Sequence, residues 1–296
     1  MNVAALIVTY NRLEKLKTTI EATLALPFQY IVVVNNASTD DTQAYLNSVC
    51  DERVIVLHRE MNDGGAGGFK YGAQWITQNL NTNWVLFYDD DAYPKKDFGV
   101  AFQSLDLSSE NVYVCTVVDT SDKCCKMNIP WKKIPNGFWG NIAYRVNPAR
   151  FIPDGSQQET VVSVSFVGML ISQETLKKSI SFIYDELFIY FDDVYFGHHL
   201  VLQRTPIIYL PELCIVHDID TTNQLIAPWK LYYLSRNLIL SRKIFQDNSP
   251  FTLFDVSLRL LKYIFTALKH EKRKECMINV YNGIKDGFWK PKGRGA

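Results

Sequence analysis

Four apolar runs of strand length near the start of the chain each stop at a polar cluster, and that repetition restricts the fold more than any other feature. Residues 3–9, 30–34, 53–58 and 84–88 are rich in Val, Ile, Leu and aromatic side chains, as strands buried on both faces require. After the first run, Leu13, Leu16, Ile20 and Leu24 recur at helical spacing and predict a helix over 13–26. Ser38 or Thr39 is placed to cap a second helix through Ala44 and Leu46, and a third helix is expected over about 69–79. Strands and helices in alternation argue for a parallel sheet with right-handed crossovers. Ligands of such sheets bind beyond the carboxyl ends of the strands. The clusters at 9–12, 35–40, 63–68 and 89–91 all fall at those ends, so four polar segments converge on one edge.

Further along, strands are expected over 113–119, over 161–171 with a break at Gly168, and over 207–210 and 214–216. A helix running to Leu202 follows Phe191-Asp192-Asp193, and from Trp229 onward the pattern is helical, through 251–269 and 276–284. The length of 296 residues suits a catalytic α/β domain over 1–220 with a helical region over 221–296. Six cysteines form no C-x-x-C pair, which disfavours a structural zinc site. No leader precedes the first strand and no run approaches the roughly 18 apolar residues of a membrane span, so the expected location is cytoplasmic.

Charge is distributed unevenly. The formal net charge is +0, yet residues 258–296 carry ten Lys/Arg against three acids, a surplus of +7 that leaves −7 on residues 1–257. An acidic body with a basic tail disfavours general nucleic-acid binding and suits a body that holds a cation and a tail that meets an anionic surface. Within 259–274, Leu260, Leu261, Ile264, Phe265 and Leu268 lie among basic residues. That pattern fits a helix on an anionic membrane, and equally a helix packed on the catalytic domain with a solvated basic side.

The polar clusters carry the chemistry. Asp89, Asp90 and Asp91 are consecutive carboxylates at a strand end and repel one another unless a cation neutralises them. Alternate residues of an extended segment share a side, so Asp89 and Asp91 face one way and Asp90 the other. Two hard oxygen ligands on one side suit Mg²⁺ or Mn²⁺ shared with substrate phosphates, whereas the plainer reading is a solvated turn. Gly64, Gly65, Gly67 and Gly68 would let backbone amides approach a phosphate ahead of a helix. The segment does not match G-x-x-x-x-G-K-[ST], and the first strand is followed by no glycine-rich dinucleotide loop.

Taken in order, Val8-Thr9-Tyr10-Asn11-Arg12, Asn35-Asn36-Ala37-Ser38-Thr39-Asp40, Asn62-Asp63-Gly64-Gly65-Ala66-Gly67-Gly68-Phe69 and Asp89-Asp90-Asp91 resemble inverting family 2 glycosyltransferases of GT-A fold. Phe191-Asp192-Asp193, His217, Tyr232-Tyr233-Leu234-Ser235-Arg236-Asn237 and Asn282-Gly283-Ile284-Lys285-Asp286-Gly287 are similar to the bacterial galactofuranosyl- and rhamnosyltransferase branch. The resemblance implies a Rossmann-like mixed sheet flanked by helices, with a helical C-terminal extension. It implies Mn²⁺ or Mg²⁺ held by Asp89, Asp91 and His217, and Asp193 as the general base that takes the acceptor hydroxyl proton. Asp192 would orient the acceptor, or else cap the helix that follows it.

The implied donor set is Thr9, Asn11, Arg12, Asn35, Asp40, the four glycines, Asp89 and Asp90. Asn35 stands where the family carries an acid, and its amide is able to pair with uracil or thymine alike. Arg236 would pair with phosphate, or form a helix-surface ion pair. Trp139, Tyr144 and Tyr233 would meet the acceptor, although core packing explains Trp139 and Tyr144 as well. The implied partners are a UDP- or dTDP-linked sugar, a glycan or lipid-linked glycan acceptor, and the inner face of the plasma membrane. A sugar nucleotidyltransferase would need a glycine-rich loop with a basic residue after the first strand, which residues 9–12 lack. A non-catalytic sugar- or membrane-binding scaffold is disfavoured by the intact Asp89, Asp91, Asp193 and His217.

Overall fold

The structure, a computed structural model, describes residues 1–219 and 226–289. The expected boundary between 220 and 221 lies outside the described residues, as do Lys290, Lys292 and Arg294 of the basic tail. The first half alternates as the apolar runs require: β1 (Val3–Thr9), α1 (Leu13–Leu24), β2 (Tyr30–Asn35), α2 (Thr42–Ser48), β3 (Val54–His58), α3 (Gly64–Asn79) and β4 (Trp84–Asp89). Then come β5 (Ala92–Pro94), α4 (Phe98–Gln103), β6 (Val112–Val118), α5 (Gly137–Val146), β7 (Glu159–Val161), β8 (Met169–Ser172) and α6 (Gln173–Ser179). The chain closes with α7 (Asp192–Leu202), β9 (Ile207–His217), α8 (Pro228–Phe245), α9 (Leu253–Lys269) and α10 (Arg273–Trp289).

Among the described residues, one nine-stranded sheet runs in the order β3-β2-β1-β4-β8-β6-β9-β5, with β7 against β9. The first four strands are parallel, so the ends of β1, β2, β3 and β4 share one edge. Beyond β4 the sheet is mixed, because β8 runs antiparallel to both β4 and β6. Strand β1 is buried throughout and feeds two cores. Val3, Ala5 and Ile7 pack beneath Leu16 and Ile20 of α1, while Leu6 and Val8 face Phe69, Ala73 and Ile76 of α3. Each such side chain contributes about 1.5–3 kcal/mol by leaving water.

Four local expectations are corrected. The glycine-rich segment is not a loop, since α3 begins at Gly64 itself. A Cβ at Gly68 would lie 2.5 Å from Val8 Cγ1 and one at Gly72 2.3 Å from Leu6 Cδ1, so the missing side chains let the helix press onto the sheet. Neither Ser38 nor Thr39 caps α2, which starts after Asp41; both instead bond to Asn11. The expected strands over 207–210 and 214–216 are one strand whose register against β6 shifts between Cys115 and Thr116. The expected strand over 161–171 is likewise two, because the chain leaves the sheet after Val161 and re-enters past Gly168, where φ is +89°.

Helices α8, α9 and α10 pack together with Leu238, Ile239, Phe245 and Val256 in one cluster and Leu231, Ala267 and Val280 in another. Gly283 and Gly287 of α10 lie against the backbone of α8: a Cβ at 283 would meet the Tyr232 carbonyl oxygen at 2.4 Å, and one at 287 the Arg236 carbonyl oxygen at 3.1 Å. Two glycines one helical turn apart thus let the helix axes approach.

Candidate active site

Strand β4 carries Asp89 to the sheet edge, and the chain then doubles through Asp90 and Asp91 into β5. Because Ala92 pairs with His217 across β5 and β9, the imidazole is brought beside Asp91. The Asp218 amide donates to the Asp91 carbonyl oxygen at 2.7 Å and fixes the same juxtaposition. One ligand atom each from Asp89, Asp91 and His217 lie within 4.8 Å of one another. Asp90 lies outside that trio, in the turn between β4 and β5. Its carboxylate accepts from Thr9 Oγ1 at 2.8 Å and from the Tyr10 amide at 3.3 Å.

Arg12 reaches across to both carboxylates, 3.4 Å from Asp90 Oδ1 and bonded to Asp91 Oδ2. It neutralises part of the triplet but leaves its other side uncompensated. Asp91 Oδ1 is buried and finds no hydrogen-bond donor among the described residues. His217 Nε2 lies 3.3 Å from it without hydrogen-bond alignment. The far ring nitrogen, Nδ1, sits 3.0 Å from Asn128 Oδ1, and Asn128 Nδ2 donates in turn to Ser165 Oγ at 2.9 Å. That chain assigns the imidazole proton to Nδ1 and turns the Nε2 lone pair toward Asp91. In that tautomer two acceptor atoms face each other across 3.3 Å, and a cation between them would satisfy both.

Burial, with Asp91 and Asp90 beside it, pushes the Asp89 carboxyl up to about 8. Burial also raises Asp90, to about 6, against the pull of Arg12. Asp91 moves the other way: burial opposes ionisation, but the Arg12 guanidinium bonded to it holds it below the usual carboxylate range. The donor set therefore fits Mg²⁺ or Mn²⁺, which would relieve the charge that Arg12 leaves unbalanced. Lys230 of α8 lies within electrostatic reach of Arg12 and Asp91 and adds a cation that the sequence did not suggest.

The second carboxyl pair opens α7. Phe191, not Asp192, is the N-cap residue, so the capping role for Asp192 is corrected. Asp193 Oδ1 accepts from the Val194 amide at 2.7 Å. Burial raises both carboxyls, and Asp193 raises Asp192 further. The segment before them is strained: Phe188, Tyr190 and Phe191 have φ of 66°, 67° and 66°. It abuts the start of α3, where the Ala66 amide donates to the Phe188 carbonyl oxygen at 3.2 Å. A Cβ at Gly64 would fall 2.0 Å from that oxygen, and Gly64 itself has φ of +72°. Only glycine fits there.

Arg236 and Asn237 of α8 hold this strained segment. Asn237 Nδ2 donates to the carbonyl oxygens of Leu187, Ile189 and Tyr190 at 2.9, 2.8 and 2.9 Å. Arg236 donates through one terminal nitrogen to Glu186 and Leu187 oxygens, and through Nε to Asn237 Oδ1. At 4% exposure Arg236 is interior, which overturns the helix-surface ion pair and leaves little of its guanidinium for a phosphate. Tyr233 stacks on Phe188 at 4.8 Å and lies under the Arg236 guanidinium, so it belongs to the same clamp. Sequence reasoning missed Asn237 and Asn128. The first stood next to Arg236 in the quoted motif, and the second gave no signal.

The remaining expected residues sort by exposure. Asn35 is buried, with Oδ1 accepting from the Ser38 amide at 3.0 Å and Nδ2 3.1 Å from His58 Nδ1, so one N–H and one lone pair are left for a base. Asn11, at φ of 53°, ties the ends of β1 and β2 together through Ser38 and Thr39. Asp40 is exposed and accepts from the Thr42 amide at 3.1 Å. A Cβ at Gly67 would meet Asp63 and Arg59, whereas Gly65 faces open space. Tyr144 is half-buried and packs edge-on to Trp131 and Phe151 at 5.1 and 5.6 Å, whereas Trp139 is 78% exposed.

This sheet order, with an acidic edge and helices on both faces, is that of a GT-A fold. The sequence profile of glycosyl transferase family 2 matches residues 4–179, and the chain belongs to that family, whose members transfer a sugar from a nucleotide-sugar donor. No curated protein matches the chain. Among solved structures, TarS residues 1–349 of S. aureus is 18% identical with a TM-score of 0.53, over 97% of this chain and 81% of that one. The mannosyltransferase PcManGT of Pyrobaculum calidifontis, in complex with GDP-Man and Mn²⁺, is 12% identical with a TM-score of 0.54, over 97% and 87%. GalNAc-T7 with UDP, GalNAc and Mn²⁺ is 10% identical with a TM-score of 0.55, over 97% of this chain but 56% of that one. At such identities the likeness is one of fold.

Proposed function

We propose that the protein is a metal-dependent inverting hexosyltransferase acting on a lipid-linked or growing bacterial surface polysaccharide at the membrane. The observation that carries this reading is the separation of two acidic centres. One, Asp89, Asp91 and His217, has an unsatisfied buried oxygen and a lone pair aimed at it. The other, Asp192 and Asp193, is buried, raised and held apart on its own helix. Inversion needs that division, because the group that stabilises the leaving diphosphate must not be the group that takes the acceptor proton.

When bound at the first centre, Mg²⁺ or Mn²⁺ supplies Lewis-acid stabilisation of the departing diphosphate. The chain's own residues do the rest. Thr9 and the Tyr10 amide hold the Asp90 carboxylate at the end of β1, and Asn128 keeps the His217 proton on the far nitrogen. Asp193, as carboxylate, takes the proton of the acceptor hydroxyl as oxygen attacks the anomeric carbon. Asp192 stays protonated beside it and donates a hydrogen bond that orients the acceptor.

The donor in this reading is UDP-galactofuranose, with dTDP-rhamnose as the second choice, since the remaining amide functions of Asn35 suit either pyrimidine. A donor panel scored by nucleoside diphosphate release tests it: UDP-galactofuranose is expected to turn over fastest, and turnover confined to a purine-linked sugar would exclude both. His217→Ala is expected to weaken Mn²⁺ binding, measured by calorimetry without substrate, by at least about tenfold. An unchanged titration would remove His217 from the metal centre.

A further inference from the structure

We propose that α5 and α9 together form one face that docks on an anionic lipid surface. Helix α9 is apolar on two sides. Val256, Leu260, Tyr263 and Ala267 turn inward, while Phe254, Leu258, Leu261, Phe265 and Leu268 form a second stripe at helical spacing that stays 42–60% exposed. A helix whose only task was to pack on the domain would carry polar side chains there.

Helix α5 continues the same face. The Asp255 carboxylate accepts from the Gly137 amide at 2.9 Å and from Asn141 Nδ2 at 2.7 Å, which binds the start of α5 to the start of α9. Phe138 meets Phe254 edge-to-face at 6.0 Å. Beside that contact Trp139 and Val146 stand 78% and 80% exposed. Tryptophan at the rim of an apolar stripe suits the headgroup boundary of a bilayer.

Charge decides what covers this face. Residues 131–153 contain no acid, and the one acid in 252–270 is Asp255, buried and engaged by α5. Lys133, Arg145, Arg150, Lys262 and Lys269 lie on the same two segments. A second copy of the chain would set like charge against like, whereas anionic headgroups complement it. The contact is peripheral, because among the described residues no helix is long and apolar enough to cross a membrane.

The inference deepens the proposed function. The inner residues of α9, Leu260 and Tyr263, pack against the same core cluster as Phe191 and Val194, which flank Asp192 and Asp193. A lipid-linked acceptor would therefore arrive on the side of the molecule where its hydroxyl is needed.

Sedimentation of the full chain with vesicles tests this without donor or acceptor, so its failure would leave the transfer reaction untouched. Binding to phosphatidylglycerol vesicles is expected, with little binding to phosphatidylcholine vesicles. Leu261→Glu with Phe265→Glu, Trp139→Glu, and Lys262→Glu with Lys269→Glu should each weaken it by at least about tenfold. All five side chains are exposed or on the exposed side, and unchanged melting curves would show the fold intact; should the first pair fail to fold, the other two variants carry the test. Wild-type protein that stays in solution with anionic vesicles would overturn the proposal. So would Trp139→Glu that binds as wild type, or a dimer dispersed by Leu261→Glu in the absence of vesicle binding.

Discussion

Asp193→Asn is expected to lower the rate of sugar transfer by about 10²–10⁴-fold while donor and metal binding stay within about twofold of wild type. The amide keeps the shape of the side chain and its acceptor for the Val194 amide, so the strained turn need not move. What it loses is the capacity to take a proton. The same assignment fixes a pH dependence. Burial raises the Asp193 carboxyl to about 6, above its ordinary value, so the active carboxylate forms only as pH rises past that point. Transfer should therefore fall off as pH drops through about 6 in the wild type, and the residual rate of Asp193→Asn should lose that limb. A mutant that retained turnover, or kept the acidic limb, would show that the base lies elsewhere.

The second large effect is expected at a residue that touches no substrate. Asn237→Ala removes a donor to the carbonyl oxygens of Leu187, Ile189 and Tyr190, of which Leu187 alone keeps a second donor in Arg236. The two orphaned groups cost about 1–3 kcal/mol each, so a loss of roughly 2–4 kcal/mol is expected after local relaxation and access of water. For a chain of this size that lowers the melting temperature by about 10 °C. Transfer should suffer beyond the stability loss, because Phe188, Tyr190 and Phe191 keep their left-handed backbone only while their surroundings impose it. The discriminating readout is kcat measured well below the melting temperature, against Mn²⁺ affinity. A lowered kcat with unchanged metal binding marks Asn237 as the positioning residue of the base, whereas equal losses in both would mean that the domain has simply loosened.

The strand ends and the acidic triplet were legible in the sequence because local chemistry writes them there. Strands β1, β2 and β4 are buried on both faces and must be continuous apolar runs, and the point where each stops is the point where the chain leaves the core. The glycine segment misled because glycine is most often a loop residue, while here Gly68 and Gly72 are set by how closely a helix lies on Val8 and Leu6. Strand β9 reads as two because residues 211–213 are absorbed in a register shift that only the partner strand reveals. Arg236 and Asn237 follow an amphipathic helix pattern that gives no warning of interior polar side chains. Their acceptors lie some fifty residues away, and no local rule connects them.

The close approach of α10 to α8 has a consequence for the order in which the molecule becomes active during synthesis. On the proposed assignment the cation-binding centre is complete once residue 217 has been added, since Asp89, Asp91, Asn128, Ser165 and His217 all precede α8. The base is not, because the turn before Asp192 is held from α8, and α8 is backed by α10 through Gly283 and Gly287. On that assignment a growing chain gains its donor side before its proton acceptor is held in place.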